Sequence, residues 1–239
     1  MNRFNVDYYL RTSDFDMNSR IHPAAVLDLF QEVAGGHATL LGCSFAQMLE
    51  KNLLWMVTRV RFSVIKMPQK NSYAKVSTWP LEPNRVIFQR EYSVTDEQGE
   101  ALIRGSSEWA AVDCNERKLV AAKGIYPESV EYLTDKTYEG RLPRLHDFDC
   151  EKKACTVTPT YSDIDCNGHV NNTKYAVYVM NCIELGSDEE IYDFQIDYHK
   201  EIQQGDNIDL YCKREGNTIF AKGLRDKDTM FLCKIEIKK

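Results

Sequence analysis

Between Tyr161 and Tyr175 the chain reads Tyr-Ser-Asp-Ile-Asp-Cys-Asn-Gly-His-Val-Asn-Asn-Thr-Lys-Tyr. Asp165, Asn167 and His169 fall at alternate positions around Gly168. A carboxylate can accept a proton or attack a carbonyl carbon, a carboxamide can hold a polar reactant, and an imidazole can move protons near neutrality. The run that follows, Ala176 to Leu185, has only two strongly polar residues, Asn181 and Glu184. A helix that apolar on nearly every side has to be wrapped by something. Asn and Asp are favoured helix caps, so the polar cluster is expected at the N-terminus of that helix, where free N–H groups and the positive end of the dipole gather. An acid, an amide and an imidazole in such a place suit a carbonyl substrate. They are also residue types of ordinary caps and turns, and the neighbouring elements decide between the two readings.

Those elements occur twice. Ser13-Asp14-Phe15-Asp16-Met17-Asn18 lines up with Ser162-Asp163-Ile164-Asp165-Cys166-Asn167, sharing both aspartates, the serine and the asparagine. Each copy follows a strand-like segment, Phe4 to Leu10 or Lys153 to Thr160, and precedes an apolar helix. The first helix opens at His22-Pro23, carries Val26, Leu27, Phe30, Val33 and Ala34 as a stripe, and is interrupted at Gly35-Gly36. A second helical piece runs through Leu40, Leu41, Phe45, Met48 and Leu49. Strands are predicted over 54–65, 73–79, 86–94 and 101–112, and in the second half over 191–202, 208–213, 218–224 and 230–237, with Gly, Pro and Asn turns between them. The stretch from Ala121 to Cys150, with Pro127 and Pro143, reads as a linker on the surface.

Each half is thus a strand, a long apolar helix and a run of antiparallel strands, an α+β pattern whose physical solution is a curved sheet wrapped around its helix. One such unit leaves a sheet edge open and a second covers it. This is a tandem double hotdog, with an N-terminal domain over 1–125, a linker over 126–152 and a C-terminal domain over 153–239.

Composition sets the outer bounds. The chain has 239 residues, 43% hydrophobic and 28% charged, with a formal net charge of −6. That balance is ordinary for a globular protein and argues against nucleic acid as partner. Eight cysteines without CxxC pairs signal neither a disulfide framework nor a zinc ribbon. Cys166 and His169 have a spacing that a metal site uses, but no second pair follows, so no metal and no other cofactor is expected. The start, Met-Asn-Arg-Phe-Asn-Val-Asp, is unlike a signal peptide, and no apolar run is long enough for membrane insertion. A reducing cytoplasm is the expected location.

The run Asp165-Cys166-Asn167-Gly168-His169-Val170-Asn171-Asn172, followed by Tyr175, closely resembles the signature of the acyl-acyl carrier protein thioesterases, double-hotdog enzymes of plants and bacteria. Asp197-Tyr198-His199-Lys200-Glu201-Ile202 resembles a second family element, in which an aromatic residue stands three positions before a glutamate. The resemblance extends over essentially the whole chain. It implies hydrolysis of a fatty acyl thioester on acyl carrier protein to release free fatty acid, and it puts Asp165, Asn167, His169 and Glu201 on family catalytic positions. Plant members carry a cysteine after that glutamate. Here the position is Ile202, which can neither attack nor move a proton, so that cysteine is expected to be dispensable.

Within this scheme Asp165 is the base toward water or the nucleophile toward the carbonyl, and the residues leave both open. Asn167 holds water or thioester. His169 and Glu201 form a supporting pair. The backbone N–H groups of Gly168, His169 and Val170 are the expected oxyanion donors, an effect worth roughly 3 kcal/mol per donor. On simple strand alternation Glu201 shares a face with Asp197 and His199, so it needs a bulge or the strand's end to reach His169. The first copy has Arg20 in place of His169, which predicts one active site, in the second copy, and a first copy turned to binding. Leu29, Phe30, Leu41, Phe45, Met48, Leu53 and Trp55 are the acyl-tunnel candidates, with a core role as their plainer reading. His22 and His37 are read as structural. Arg59, Arg61, Lys66, Lys70 and Lys75 are candidates for a basic patch toward an acidic carrier, although dispersed charges are usually a solvated face. A coenzyme A thioesterase would share this fold and chemistry. A non-catalytic acyl-binding module would keep the tunnel but has no need of the polar constellation. Acyl length and a homodimer stay open at this level.

Overall fold

The computed structural model describes residues 2–239. The chain divides into two compact units. One comprises the chain up to Asp14 together with Asp28–Leu142, and the other Phe15–Leu27 together with Pro143–Lys239. The first motif from Phe15 onward therefore groups with the C-terminal half, while Ser13 and Asp14 stay with the first unit.

The first unit carries β1 (Phe4–Leu10), α1 (Pro23–Leu40, from Asp28 on), α2 (Phe45–Glu50), β2 (Leu53–Val64), β3 (Ser72–Pro80), β4 (Phe88–Thr95) and β5 (Ala101–Asp113). Its strands are antiparallel in the order β2-β5-β4-β3-β1. The second unit carries β6 (Lys153–Val157), α3 (Asn172–Met180), β7 (Glu190–Tyr198), β8 (Ile208–Glu215), β9 (Thr218–Arg225) and β10 (Asp228–Lys238). Their order is β7-β10-β9-β8-β6, the same topology strand for strand. The duplication read from six residues is thus a duplication of whole hotdog units.

In the first unit α1 lies on the sheet through Phe30, which stacks on Tyr92 at 4.1 Å and meets Phe62 edge-on at 6.4 Å. Gly105 of β5 makes room for that ring, since a Cβ there would sit 2.2 Å from Phe30. The expected interruption at Gly35-Gly36 does not occur, and α1 runs straight through both glycines. Gly36 serves close approach: a Cβ on it would come within 2.9 Å of Phe4. The stop comes later, where Gly42 takes φ +71 and the N–H groups of Cys43 and Gly42 bond the carbonyls of Ala38 and Thr39, a Schellman ending. Ser44 then opens α2 with a capping box to Gln47.

The stretch expected to be a surface linker is built into the units. Ile125, Tyr126, Val130 and Leu142 are buried. The Thr137 N–H donates to Glu91 at 2.7 Å, and Arg141 donates to Glu108 at 3.2 Å. The cause lies in the sheet. Tyr92 and Gly105 face α1, so Glu91 and Ser106 beside them face the other way. Glu91 and Glu108 are buried there and need donors. In the second unit the Leu145 N–H likewise donates to Asp197 at 3.0 Å.

Candidate active site

The two motif copies fold into the same loop. In the first, Phe15 and Ile21 bridge across it, and the Asp16 N–H donates to the Arg20 carbonyl at 2.8 Å. Asp16 Oδ1 accepts the N–H groups of Asn18 at 2.8 Å and Arg20 at 2.9 Å. In the second, Ile164 and Val170 bridge, and the Asp165 N–H donates to the His169 carbonyl at 2.8 Å. Asp165 Oδ1 accepts the N–H groups of Asn167 at 2.8 Å and His169 at 3.4 Å. The position that must take positive φ is Ser19 (φ 60) in one and Gly168 (φ 80) in the other. A 3-10 turn precedes each loop, closed by Asp14 accepting the Arg11 N–H and by Asp163 accepting the Thr160 N–H. The aspartate is the hub of both loops because a carboxylate at this place collects N–H groups that no strand or helix satisfies.

The copies differ in what the hub leaves over. In the first, Arg20 Nε donates to Asp16 Oδ2 at 2.9 Å, and its Nη1 donates to the carbonyls of Gly186 and Glu189. Burial works against the charged form of Asp16, yet the donors of Arg20 and Asn18 hold its carboxyl below the usual carboxylate range. That loop is locked. In the second, Asp165 Oδ2 has, among the described residues, only the Asn167 carboxamide at 3.4 Å. His169 Nε2 lies 3.2 Å from Glu201 Oε2, and the two side chains are 31% and 48% exposed. An oxygen base, an amide and an imidazole with its carboxylate partner are therefore within reach of solvent.

Glu201 arrives there because β7 stops at Tyr198, short of the expected end at residue 202. Strand alternation no longer governs it. Its place is set by backbone pairing: the Val170 N–H donates to the Ile202 carbonyl at 2.9 Å, and the Ile202 N–H donates to the Tyr175 hydroxyl at 3.2 Å. Ile202 itself is fully buried. Its side chain is a core plug, and its backbone does the positioning. Tyr175, which the sequence reading gave no role, ties α3 to this loop. Burial raises its phenol well above the ordinary value, so it stands as a neutral hydroxyl. Its advance signals were its place in the resembled signature and in the first turn of the helix behind the motif.

Three expectations change. The cluster sits in the loop before α3, not on its first turn, because Asn171 is the N-cap and accepts the Thr173 N–H at 2.9 Å. The helix also ends at Met180, short of Leu185, with the Cys182 N–H closing onto the Val179 carbonyl. The expected oxyanion donors are already engaged. Gly168 donates to the Asp165 carbonyl, His169 to the Asp165 side chain and Val170 to the Ile202 carbonyl. A loop this tight closes on its own amides. From Gly168 to Lys174, the Asn172 N–H is the one with no acceptor among the described residues.

The acyl candidates separate. Leu41 and Met48 are buried in one cluster of the first unit with Phe88, Ala122 and Tyr126, and Leu53 and Trp55 pack against it. Phe30 belongs to the Tyr92 stack, Leu29 is half-buried, and Phe45 is exposed. A cavity of about 550 Å³ opens on the same cluster, walled by Ala122, Tyr126 and Tyr132 from the supposed linker. Of the basic candidates, Arg59 is buried on Glu108 at 2.9 Å, Arg61 lies over the Tyr138 ring and Lys66 pairs with Glu100. Lys70 and Lys75 are exposed. Arg59 is no docking residue, because the buried carboxylate needs it.

Residues 1–130 match the family model of the acyl-ACP thioesterase N-terminal domain, and residues 147–238 that of the C-terminal domain. The chain is 25% identical over 215 residues to an acyl-[acyl-carrier-protein] hydrolase of Cuphea viscosissima, an alignment covering 84% of this chain and 52% of the relative. Against a palmitoyl-acyl carrier protein thioesterase of Arabidopsis thaliana it is 27% identical over 217 residues, covering 83% and 52%. Both relatives are chloroplastic, and the chain spans about half the length of the curated relatives it matches. Among solved structures, an acyl-ACP thioesterase from Bacteroides thetaiotaomicron superposes with a TM-score of 0.89 at 23% identity, covering 99% of this chain and 98% of the other. A 12:0-ACP thioesterase from Umbellularia californica gives 0.85 at 19%, covering 99% and 97%. At those identities the likeness speaks for the double hotdog fold.

Proposed function

We propose, since the chain belongs to the acyl-ACP thioesterase family, that it hydrolyses fatty acyl thioesters of acyl carrier protein to free fatty acid and carrier thiol. The observation that carries this reading is the contrast between the two loops. One is locked by Arg20, and the other presents His169 on Glu201 beside an Asp165 oxygen with one weak contact. Water is bound between Asp165 Oδ2 and the Asn167 amide. Asp165 takes its proton as the oxygen attacks the thioester carbonyl. Glu201 accepts from Nε2 of His169 and so fixes how the imidazole meets the attacking water. The oxyanion falls to the Asn172 N–H at the start of α3, where the helix favours negative charge. The thiolate leaves with little proton help, so no strong general acid is required.

The product is consistent with a role in ending acyl-chain elongation, and with its free thiols the enzyme belongs in a reducing, cytoplasm-like compartment. The test is Asp165→Ala. Release of fatty acid from acyl-carrier substrates is expected to fall by about 10³-fold or more, with the far-ultraviolet circular dichroism unchanged. A fully active variant overturns the role given to Asp165. Rates on matched carrier and coenzyme A thioesters decide which thiol the enzyme prefers.

A further inference from the structure

The second unit gathers thiols that the proposed reaction does not use. Cys155 of β6 lies opposite Leu210 of β8, Cys212 of β8 opposite Ala221 of β9, and Ala221 opposite Cys233 of β10. Residues paired across an antiparallel ladder point the same way, as do residues two apart on one strand. Cys155, Cys212 and Cys233 therefore share the face that carries Phe231, which meets Tyr175 of α3 edge-on at 5.3 Å. Cys182 stands in the turn just after that helix, with Cys155 beside it. Burial first, and then the neighbouring Cys155, raise the Cys182 thiol above its ordinary value. Cys233 is sealed in the core, whereas Cys155, Cys182 and Cys212 are half-buried, within reach of a small oxidant.

The ladder decides which thiols can join. Cys212 is the diagonal neighbour of Cys155, and such neighbours stand on the order of 7 Å apart. A disulfide needs Cβ atoms about 4 Å apart, so the sheet keeps those two separate. Cys182 is under no such constraint, since it belongs to the connection between α3 and β7. Together Cys155 and Cys182 bracket the reacting segment. The chain runs from β6 through the turn at Tyr161–Asp163 and the loop of Asp165 and His169, and α3 then carries it to Cys182. Within α3, Tyr175 accepts the Ile202 N–H and so helps to set the place of Glu201.

We propose that Cys155 and Cys182 are a redox-sensitive pair, joined by a peroxide into a disulfide that ties β6 to the end of α3 and lowers turnover at the loop between them. The fall in turnover rests on the thioesterase reading above; the bond itself does not. Cys155, its proton lost to solvent, attacks one oxygen of hydrogen peroxide. The O–O bond breaks, and the departing hydroxide takes that proton as water, leaving a sulfenic acid. The Cys182 sulfur attacks the sulfenic sulfur, and its own proton leaves with the hydroxyl group as a second water. Two thiols give up two electrons and the peroxide accepts them. The bond draws the sulfurs to about 2.05 Å, so the end of α3 has to shift with Cys182. A displacement near 1 Å at a reacting group costs on the order of 100-fold in rate.

The experiment treats the full chain with hydrogen peroxide, digests it with trypsin without reduction and reads the peptides by mass spectrometry. Peptide 154–174 should appear joined to peptide 175–200, with fragmentation placing the bond on Cys155 and not on Cys166 of the same peptide. The kcat on acyl-carrier thioesters should fall by roughly tenfold or more and return with dithiothreitol. Cys182→Ser should lose both the bond and the fall while keeping basal turnover, and Cys212→Ser should keep both. A link to a different cysteine, or no link at all, overturns the proposal. So does an unchanged kcat in a linked sample. If the reduced chain cleaves no carrier thioester, the thioesterase reading fails instead. The linked peptide then decides for the pair, its presence supporting the bond and its absence overturning it.

Discussion

One position separates the two motif loops in chemical terms. Both loops have a hub aspartate, a bridge and a left-handed residue at matching positions, but Arg20 fills the first with a pair to Asp16 and His169 opens the second toward Glu201. His169→Arg should therefore fold, because the first copy demonstrates that this loop accommodates arginine. The expected outcome is loss of at least about 100-fold in turnover, with the melting temperature held or raised, since the guanidinium takes the Asp165 oxygen to which the proposed reaction assigns the water. Fatty-acid release at the native rate would remove His169 from the reaction. Ile202 offers the complementary test. Its side chain is wholly buried while its backbone braces Val170 and Tyr175. Ile202→Cys should lower stability by about 1–2 kcal/mol through lost volume and leave kcat unraised. A gain in kcat on that substitution would restore a cysteine to the chemistry.

At the scale of elements, glycines decide how closely helix and sheet meet. Gly105 lies under the Phe30 ring with the Arg61 carbonyl 3.0 Å from where a Cβ would stand. Gly→Ala in a strand ordinarily gains about 0.4–1 kcal/mol by restricting the unfolded chain. Overpacking a filled site costs about 1–3 kcal/mol, and the 2.2 Å approach to Phe30 puts this position on that side. Gly105→Ala should lower the melting temperature, and an unchanged or higher value would show that α1 can lift from β5. Element boundaries were legible to within a few residues wherever Gly, Pro or Asn turns stood between β-rich runs. The misreadings came where packing overrode local preference. Gly35-Gly36 continues a helix because Phe4 has to lie on it, and β7 stops at Tyr198 because the chain turns to pair Ile202 with Val170.

For the whole molecule, the first motif is held among residues of the C-terminal half. Arg20 donates to the carbonyls of Gly186 and Glu189, and the Glu189 carboxylate binds Arg214 at 2.5 Å and 3.1 Å. Hydrogen bonds from Arg214, then from the Gly186 N–H, hold the Glu189 carboxyl down at about 2 against 4.5 ordinarily. A depressed folded value gives stability that is present above the unfolded value and lost as pH falls through the folded one. Acid sensitivity from this group therefore falls between about pH 4.5 and 2. Glu189→Gln should flatten the melting-temperature profile across that window. A profile identical to the unaltered protein would mean that the pair contributes nothing to folding.

The amino-acid order alone determined the duplication, the α+β hotdog architecture and the residue types of the site. Those follow from periodicity and from short-range capping and turn chemistry, which act between neighbours in the chain. Pairing across distance belonged to the tertiary structure. It engaged the amides of Gly168 to Val170 in loop closure, carried Glu201 to His169 by way of Ile202, and drew the stretch after Ala121 onto the buried carboxylates of the first sheet. The physical reason is the same in each case. Which donor meets which acceptor depends on what else is buried beside it, and burial is a property of the assembled chain.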